Sequence, residues 1–375
     1  MSMNTPVRGA DVSTAAEVES LGGTWRDESG RERDLFAILA DAGVNTIRLR
    51  TWVDPHGPDG EPYMGGTNDL AATVALARRA AAAGQALLLD LHYSDFWTDP
   101  KKQQTPKTWR GLTGTALADR VRDYTAEVLA ALDEAGAAPA MVQVGNEITN
   151  GMLWPEGRIP RFDDSRRRFE GRDEAAWDRL AALLAAGAAA VRAGSDAEVV
   201  LHLDFGGANE LYREWFDAAT ARGVDFDLIG LSYYPFWHGT LDDLSANMND
   251  IAVRYGRDLL VAETSYAWTG EEPAGHHQVF QTEMAAVGGY EASPEGQSAF
   301  LRDLYAAVAA VPEGRGRGLV YWEPAWLPVA GTTWASQAGM DYADDHAEGG
   351  CSWANQALFD FGGNALPSLR ALGRA

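Results

Sequence analysis

The feature that most constrains this chain is an alternation repeated eight times, in which a short apolar, β-branched run is followed by a longer Ala/Leu-rich stretch. The strand-like runs fall at 7–12, 45–50, 86–91, 141–145, 199–204, 228–233, 259–264 and 318–322, with helical stretches between them that include 70–83, 116–135, 174–193, 210–222 and 297–309. Strands joined by crossover helices run parallel and are covered on both faces. Segment 115–136 shows the helical period. Leu117, Val121, Tyr124, Val128 and Leu132 recur at helical spacing, Thr115 is placed to cap the first turn and Gly136 to end the last. Eight such rounds fit a closed (β/α)8 barrel, with a doubly wound open sheet as the competitor. No glycine-rich phosphate loop follows the first strand, because Gly22-Gly23 precedes a turn-like stretch rather than opening a helix. The expectation is an α/β chain forming a single (β/α)8 TIM barrel over 1–375, with long βα loops after strands four (151–173) and eight (324–356).

Composition removes several classes of function. Against 31 Lys and Arg stand 54 Asp and Glu, a net charge of −23 that repels nucleic acid and anionic membrane surfaces alike. Cys351 is the one cysteine, so neither an intrachain disulfide nor a cysteine-based metal centre can form. His56, His276, His277 and His346 show no metal-ligand spacing. No apolar run reaches the roughly 18 residues of a membrane span, and the first residues lack the basic start and apolar core of an export signal. As written, the chain reads as cytoplasmic, or as extracellular if its start has been trimmed.

In this fold, chemistry gathers where strand C-termini point. Reading those ends gives Arg48 and Arg50, His92 with Asp95, Asn146 with Glu147, His202 and Asp204, Tyr233 and Tyr234, Glu263, and Trp322 with Glu323. The sharpest are Glu147 and Glu263, at the tips of strands four and seven. Carboxylates there can face each other across the barrel mouth, and a separation of about 5–5.5 Å suits a retaining glycosidase. A strand-tip Glu ion-paired to a neighbouring Arg is the plain alternative. Residues 46, 48 and 50 share one face of the second strand, so Arg48 can point inward. Trp97, Trp109, Trp154, Trp237, Trp268, Trp322 and Trp326 all follow strand ends. Indole faces at such places stack on pyranose rings, and a row of them implies a groove for several sugars. Trp322 and Trp326 are the strongest binding candidates, whereas Trp109 is a candidate for packing.

Several stretches together resemble the endo-β-1,4-galactanases of glycoside hydrolase family 53. They are GADVS (9–13), GVNTIRLRTWVDP (43–55), DLHYSDFWTDPKKQ (90–103), VGNEITNGMLWPEG (144–157), GLSYYPFW (230–237), VAETSYAWT (261–269), YWEPAW (321–326) and NQALFDFGGNALPSL (355–369). The resemblance implies cleavage of internal β-1,4-galactosidic bonds of galactan, the neutral side chain of pectin, by double displacement without a cofactor. It implies Glu147 as general acid/base and Glu263 as nucleophile. That division requires Glu147 to be drier and Glu263 to have a pKa kept low by a partner such as Arg48. Tyr233 or Tyr234 is expected to donate to Glu263, Asn146 to bond the sugar 2-hydroxyl, and His92, Asp95 and Asp204 to lie among substrate-binding groups. Some relatives hold calcium in the loop after strand eight. Here Asp341, Asp344, Asp345, His346 and Glu348 make that loop a calcium candidate, with a solvated acidic loop the equal reading. A monomer acting on galactan or galactooligosaccharides is the expectation. A clan-related β-glycanase such as a mannanase, or a silent carbohydrate-binding barrel, are the alternatives.

Overall fold

A computed structural model describes residues 6–64 and 68–374, so residues 1–5, read above for an export signal, lie outside it. Eight parallel strands close into a barrel. They are β1 (Val7–Asp11), β2 (Thr46–Thr51), β3 (Ala86–Leu91), β4 (Met141–Val144), β5 (Glu198–Leu203), β6 (Leu228–Ser232), β7 (Asp258–Thr264) and β8 (Gly316–Trp322). Each strand pairs with its sequence neighbours, and β1 pairs with both β2 and β8, which leaves no open edge. The outer ring is α1 (Leu35–Ala42), α2 (Leu70–Ala82), α3 (Gly114–Glu134), α4 (Glu174–Gly194), α5 (Asn209–Ala221), α6 (Leu241–Tyr255), α7 (Pro294–Ala309) and α8 (Pro367–Arg374). Among the described residues, no helix is long and apolar enough to cross a membrane.

The period-2 alternation of each strand builds two different faces. Outward residues such as Ile47, Leu49, Leu87, Leu89, Val142, Val144, Leu201 and Ile229 pack under the helices. Inward residues divide into layers. Val7, Leu88, Met141, Val200, Leu228, Leu260 and Val320 form an apolar plug toward the strand N-termini. Further along the inward faces come Asp11, Arg48, Asp90, Gln143, His202 and Ser232, all buried. The apolar plug seals the barrel below and the polar layer opens above it.

Local signals explain most boundaries. Side chains of Asp34, Asp69, Asp173 and Ser293 cap α1, α2, α4 and α7, and Thr240 with Asp243 closes a reciprocal capping box on α6. Helix α3 departs from expectation at its start. It begins at Gly114, and the N–H of Gly114 is taken by Glu156 of the loop after β4 (2.9 Å), so Thr115 lies inside the first turn instead of capping it. Helix α7 likewise starts at Pro294, earlier than its apolar period suggests, because Ser293 caps it and Pro suits the first helical position. The loop after β4 is folded into two small antiparallel ribbons, Gly151–Met152 with Gly157–Arg158 and Phe162–Asp163 with Arg168–Phe169.

Strand β4 ends at Val144, one residue short of expectation, because Gly145 turns the chain at φ +85° and Glu147 follows at φ +46°. A Cβ on Gly145 would meet Ile148 Cγ2 at 2.5 Å. Gly145→Ala should therefore cost about 2 kcal/mol in denaturant unfolding, through positive-φ strain and this collision. An unchanged unfolding midpoint would contradict that reading of the turn.

Candidate active site

Arg48 on β2 points into the barrel mouth and is wholly buried. Its Nη1 donates to Asp11 Oδ2 and to Glu263 Oε2, both at 2.9 Å. Its Nη2 donates to Asp90 Oδ2 and to Asn146 Oδ1, both at 2.8 Å. One guanidinium thus ties the tips of β1, β3, β4 and β7 into a single plane, the fixed-fork geometry that Arg alone supplies. Beside it Arg50 bonds Glu323 Oε1 (2.6 Å) and lies 4.2 Å from the Trp97 ring centre. Burial pushes Glu323 up to about 7, with Arg50 opposing.

Glu147 and Glu263 line one cavity of about 320 Å³ together with Arg48, Arg50, His92 and Asn146. Glu263 accepts from Arg48 and, through Oε1, from the Tyr234 hydroxyl at 2.8 Å. Glu147 Oε1 accepts from Ser232 Oγ at 2.6 Å. Burial lifts Glu147 well above the ordinary glutamate value, helped by the charges of Glu263 and Asp204. Glu263 is also raised by burial rather than held low as the sequence suggested, but Arg48 and Tyr234 pull against the rise. These surroundings favour the proton on Glu147 and the charge on Glu263.

The remaining sequence candidates divide between the cavity and its supports. Asn146 accepts from Arg48 through Oδ1 and donates one Nδ2 proton to Thr98 O (2.9 Å), which leaves its second amide proton free for a ligand. His92 lines the cavity with its nitrogens engaged by Asp90 (3.0 Å) and Thr98 (2.9 Å). Tyr234, not Tyr233, reaches Glu263. The alternation of β6 turns Tyr233 outward, its hydroxyl going to Gly239 O (3.2 Å) and its ring toward Phe300. Asp95 is also turned away, accepting the backbone N–H groups of Asp54 (3.0 Å) and Lys107 (2.7 Å) and so tying two loops together. Asp204 sits buried behind Glu147, taking the Thr149 hydroxyl, and supports the turn after β4 rather than lining the cavity.

Six tryptophans wall the cavity: Trp97, Trp237, Trp322, Trp326, Trp334 and Trp353. Trp353 stands edge-on to Trp322 at 4.6 Å, and Trp326 is the most buried of the six. Trp334 and Trp353 escaped the sequence reading because they lie deep in the loop after β8, far from any strand end. Trp109 packs with Tyr93 and Tyr124, Trp268 with Phe361, and Trp154 under Arg158, all outside this cavity. Sequence reading also missed Asp11, Asp90, Gln143 and Ser232. The signal was a polar residue at inward parity within an apolar run, as in LLLDL and MVQV.

The acidic loop after β8 does not fit calcium. Asp345 bonds Lys102 Nζ (3.2 Å), Asp341 takes an amide proton of Gln337 (2.8 Å), and Asp344 is 99% exposed. Among the described residues, no three His, Cys, Asp or Glu side chains converge as a metal site would require.

Comparison with known proteins decides the family. The sequence profile of glycosyl hydrolase family 53 matches residues 7–372. The chain belongs to glycosyl hydrolase family 53. It is 44% identical to a Niallia circulans protein named "Uncharacterized protein in bgaB 5'region", covering 98% of this chain and 93% of that one. It is 37% identical to the endo-beta-1,4-galactanase of Bacillus subtilis strain 168, covering 97% of this chain and 84% of that one. The solved family 53 catalytic domain of Ignisphaera aggregans superposes with a TM-score of 0.89 at 40% identity, covering 99% and 97% of the two chains. As a member of family 53, the chain is a glycoside hydrolase built on a (β/α)8 barrel.

A carboxyl-selective NMR titration should place both midpoints above the ordinary 4.5, with Glu147 the higher. Tyr234→Phe removes a hydrogen bond to the charged form of Glu263, so that midpoint should rise by about one unit. A fall, or no movement, would contradict the assignment of this contact.

Proposed function

We propose that this family 53 enzyme hydrolyses internal β-1,4-galactosidic bonds of galactan, with Glu263 as nucleophile and Glu147 as general acid/base. The observation that carries the reading is a pair of buried glutamates in one tryptophan-walled cavity, one bonded to Arg48 and Tyr234 and the other to Ser232. The name of the B. subtilis relative supplies the substrate class. In the first step the Glu263 carboxylate attacks the anomeric carbon while Glu147 gives its proton to the departing glycosidic oxygen. A galactosyl ester of Glu263 results. In the second step Glu147, now a carboxylate, takes a proton from water as that water attacks the same carbon and frees Glu263. Two inversions leave the anomeric configuration as it began.

The parts of the site fit these steps. Arg48 and Tyr234 keep Glu263 ionised and aimed, so it is a nucleophile in the ground state. The free amide proton of Asn146 bonds the sugar 2-hydroxyl, a contact that tightens as positive charge grows at the anomeric carbon. His92, its two nitrogens held by Asp90 and Thr98, packs its ring against the same subsite. Trp237 and Trp334 come from different loops and extend the wall beyond one sugar, as an endo-acting groove requires. The reaction calls on no metal or organic cofactor, and one barrel carries the whole of it.

Incubation with galactan should release reducing ends and galactooligosaccharides, with none from mannan or xylan. Proton NMR of the first products should show the β anomer before mutarotation. The α anomer first, or turnover of mannan alone, would overturn the reading. Glu263→Ala should lower turnover on the order of 10⁴-fold while galactan is still bound in affinity electrophoresis. Glu147→Ala should keep its rate best on aryl glycosides with acidic leaving groups, which need little protonation. Equal losses on activated and natural substrates would remove Glu147 from the acid role.

A further inference from the structure

Behind Glu147 runs a line of hydrogen bonds whose direction is set at its far end. Asp90 is buried, and its Oδ2 is held by Arg48 and His92. Its Oδ1 is 2.7 Å from Gln143 Nε2. A carboxylate only accepts, so the atom of Gln143 at this end is the amide nitrogen. The same nitrogen lies 2.9 Å from His202 Nδ1. An amide nitrogen accepts nothing, so a proton on Nδ1 would be driven against it, and Nδ1 is the acceptor. Asn146 Oδ1, 3.2 Å from Nδ1, already takes Arg48.

His202 carries one ring proton. Burial favours its neutral form, as do Arg48, His92 and His238, while Asp90 is the group that opposes them. With Nδ1 accepting, that proton is on Nε2, which lies 2.8 Å from Ser232 Oγ. The serine oxygen accepts it and turns its own proton to Glu147 Oε1, 2.6 Å away. Among the described residues, Oε2 of Glu147 has no hydrogen-bond partner, and the residue lines the cavity.

We propose that Ser232 and His202 are positioning residues for the acid, fixing Oε1 of Glu147 as an acceptor so that the proton it delivers is carried on Oε2. The inference rests on Glu147 being the acid/base. The Ser232 donor also stabilises the carboxylate that remains after delivery. The charged and titratable groups around Glu147 are Glu263, Arg48, Arg50, His92 and Lys102 of the same cavity, Asp204 on the β5 side, Asp99 from the loop after β3, and Tyr234 and Tyr212. Glu263, Asp204 and Asp99 favour the protonated acid, and Ser232 opposes them. The relay thus balances readiness to give the proton against readiness to take one back from water.

Two measurements test this. In wild-type enzyme carrying ¹⁵N-labelled histidine, with His202 identified by its loss in His202→Asn, the His202 ring should stay neutral and protonated on Nε2 from pH 5 to pH 9. An Nδ1-protonated or charged ring would overturn the relay, whatever the catalytic result. In the pH profile of kcat/KM, Glu147→Gln should abolish the basic limb, which checks the acid role separately. Ser232→Ala should then move that limb up by about one pH unit, as loss of a hydrogen bond to the charged form requires. Its kcat should fall about tenfold, and Ser232→Thr should restore both. A basic limb unmoved in Ser232→Ala, or a Thr variant as impaired as the Ala one, would reduce Ser232 to a packing residue and defeat the proposal.

Discussion

Everything at the mouth of this barrel depends on one buried cation. Arg48 is shut away from water and holds Asp11, Asp90, Glu263 and Asn146 through two nitrogens. Burying a guanidinium is tolerable only when its protons are matched by acceptors, and burying several carboxylates only when a cation stands among them. Here the four contacts of Nη1 and Nη2 answer both requirements, while the buried Nε has no partner among the described residues. The cluster favours charge on one carboxyl over the other. Glu263 touches Arg48 directly, whereas Glu147 touches a neutral serine and faces other acids. Asymmetry between two chemically identical side chains therefore arises from the strand to which each belongs.

The position of that cluster follows from the barrel itself. Inward residues on successive pleats form an apolar plug and then a polar layer, and the plug keeps water from reaching the polar layer from below. Loops after β3, β6 and β8 then raise tryptophans around the opening. The polar layer is dry enough to shift the ionisation of its carboxyls, yet open enough at one end to admit a polymer. Arg50 links the two regions, bonded to Glu323 within the barrel and stacked on Trp97 at the wall.

The sequence made the repeated pattern of strands and helices readable because fully covered parallel strands are continuous apolar runs and their helices keep a clear period. Strand ends were legible too, since a Glu or Asn closing an apolar run stands out, as in MVQVGNE and LLVAETS. Three kinds of information were not. Which of two adjacent tyrosines faces inward depends on strand parity, which a short run leaves open. Tyr234 reaches Glu263 because inward parity falls on Ser232 and Tyr234, not on Tyr233. Asp95 and Asp204 looked like ligand-binding groups because proximity in sequence to the site says nothing about orientation, and both proved to brace loops. Trp334 and Trp353 reach the cavity only because the long loop after β8 folds back, a tertiary event with no local signature.

The most direct test of the central claim, that Glu263 is the charged member of the pair and forms the sugar ester, is covalent trapping. A 2-deoxy-2-fluoro galactoside or galactobioside with an activated leaving group should form a long-lived ester, because fluorine slows both steps while the activated leaving group restores the rate of the first alone. Mass spectrometry of the intact protein should show one added sugar unit, and peptide mapping should place it on Glu263. A label on Glu147 or on another residue, or inactivation with no added mass, would contradict the account.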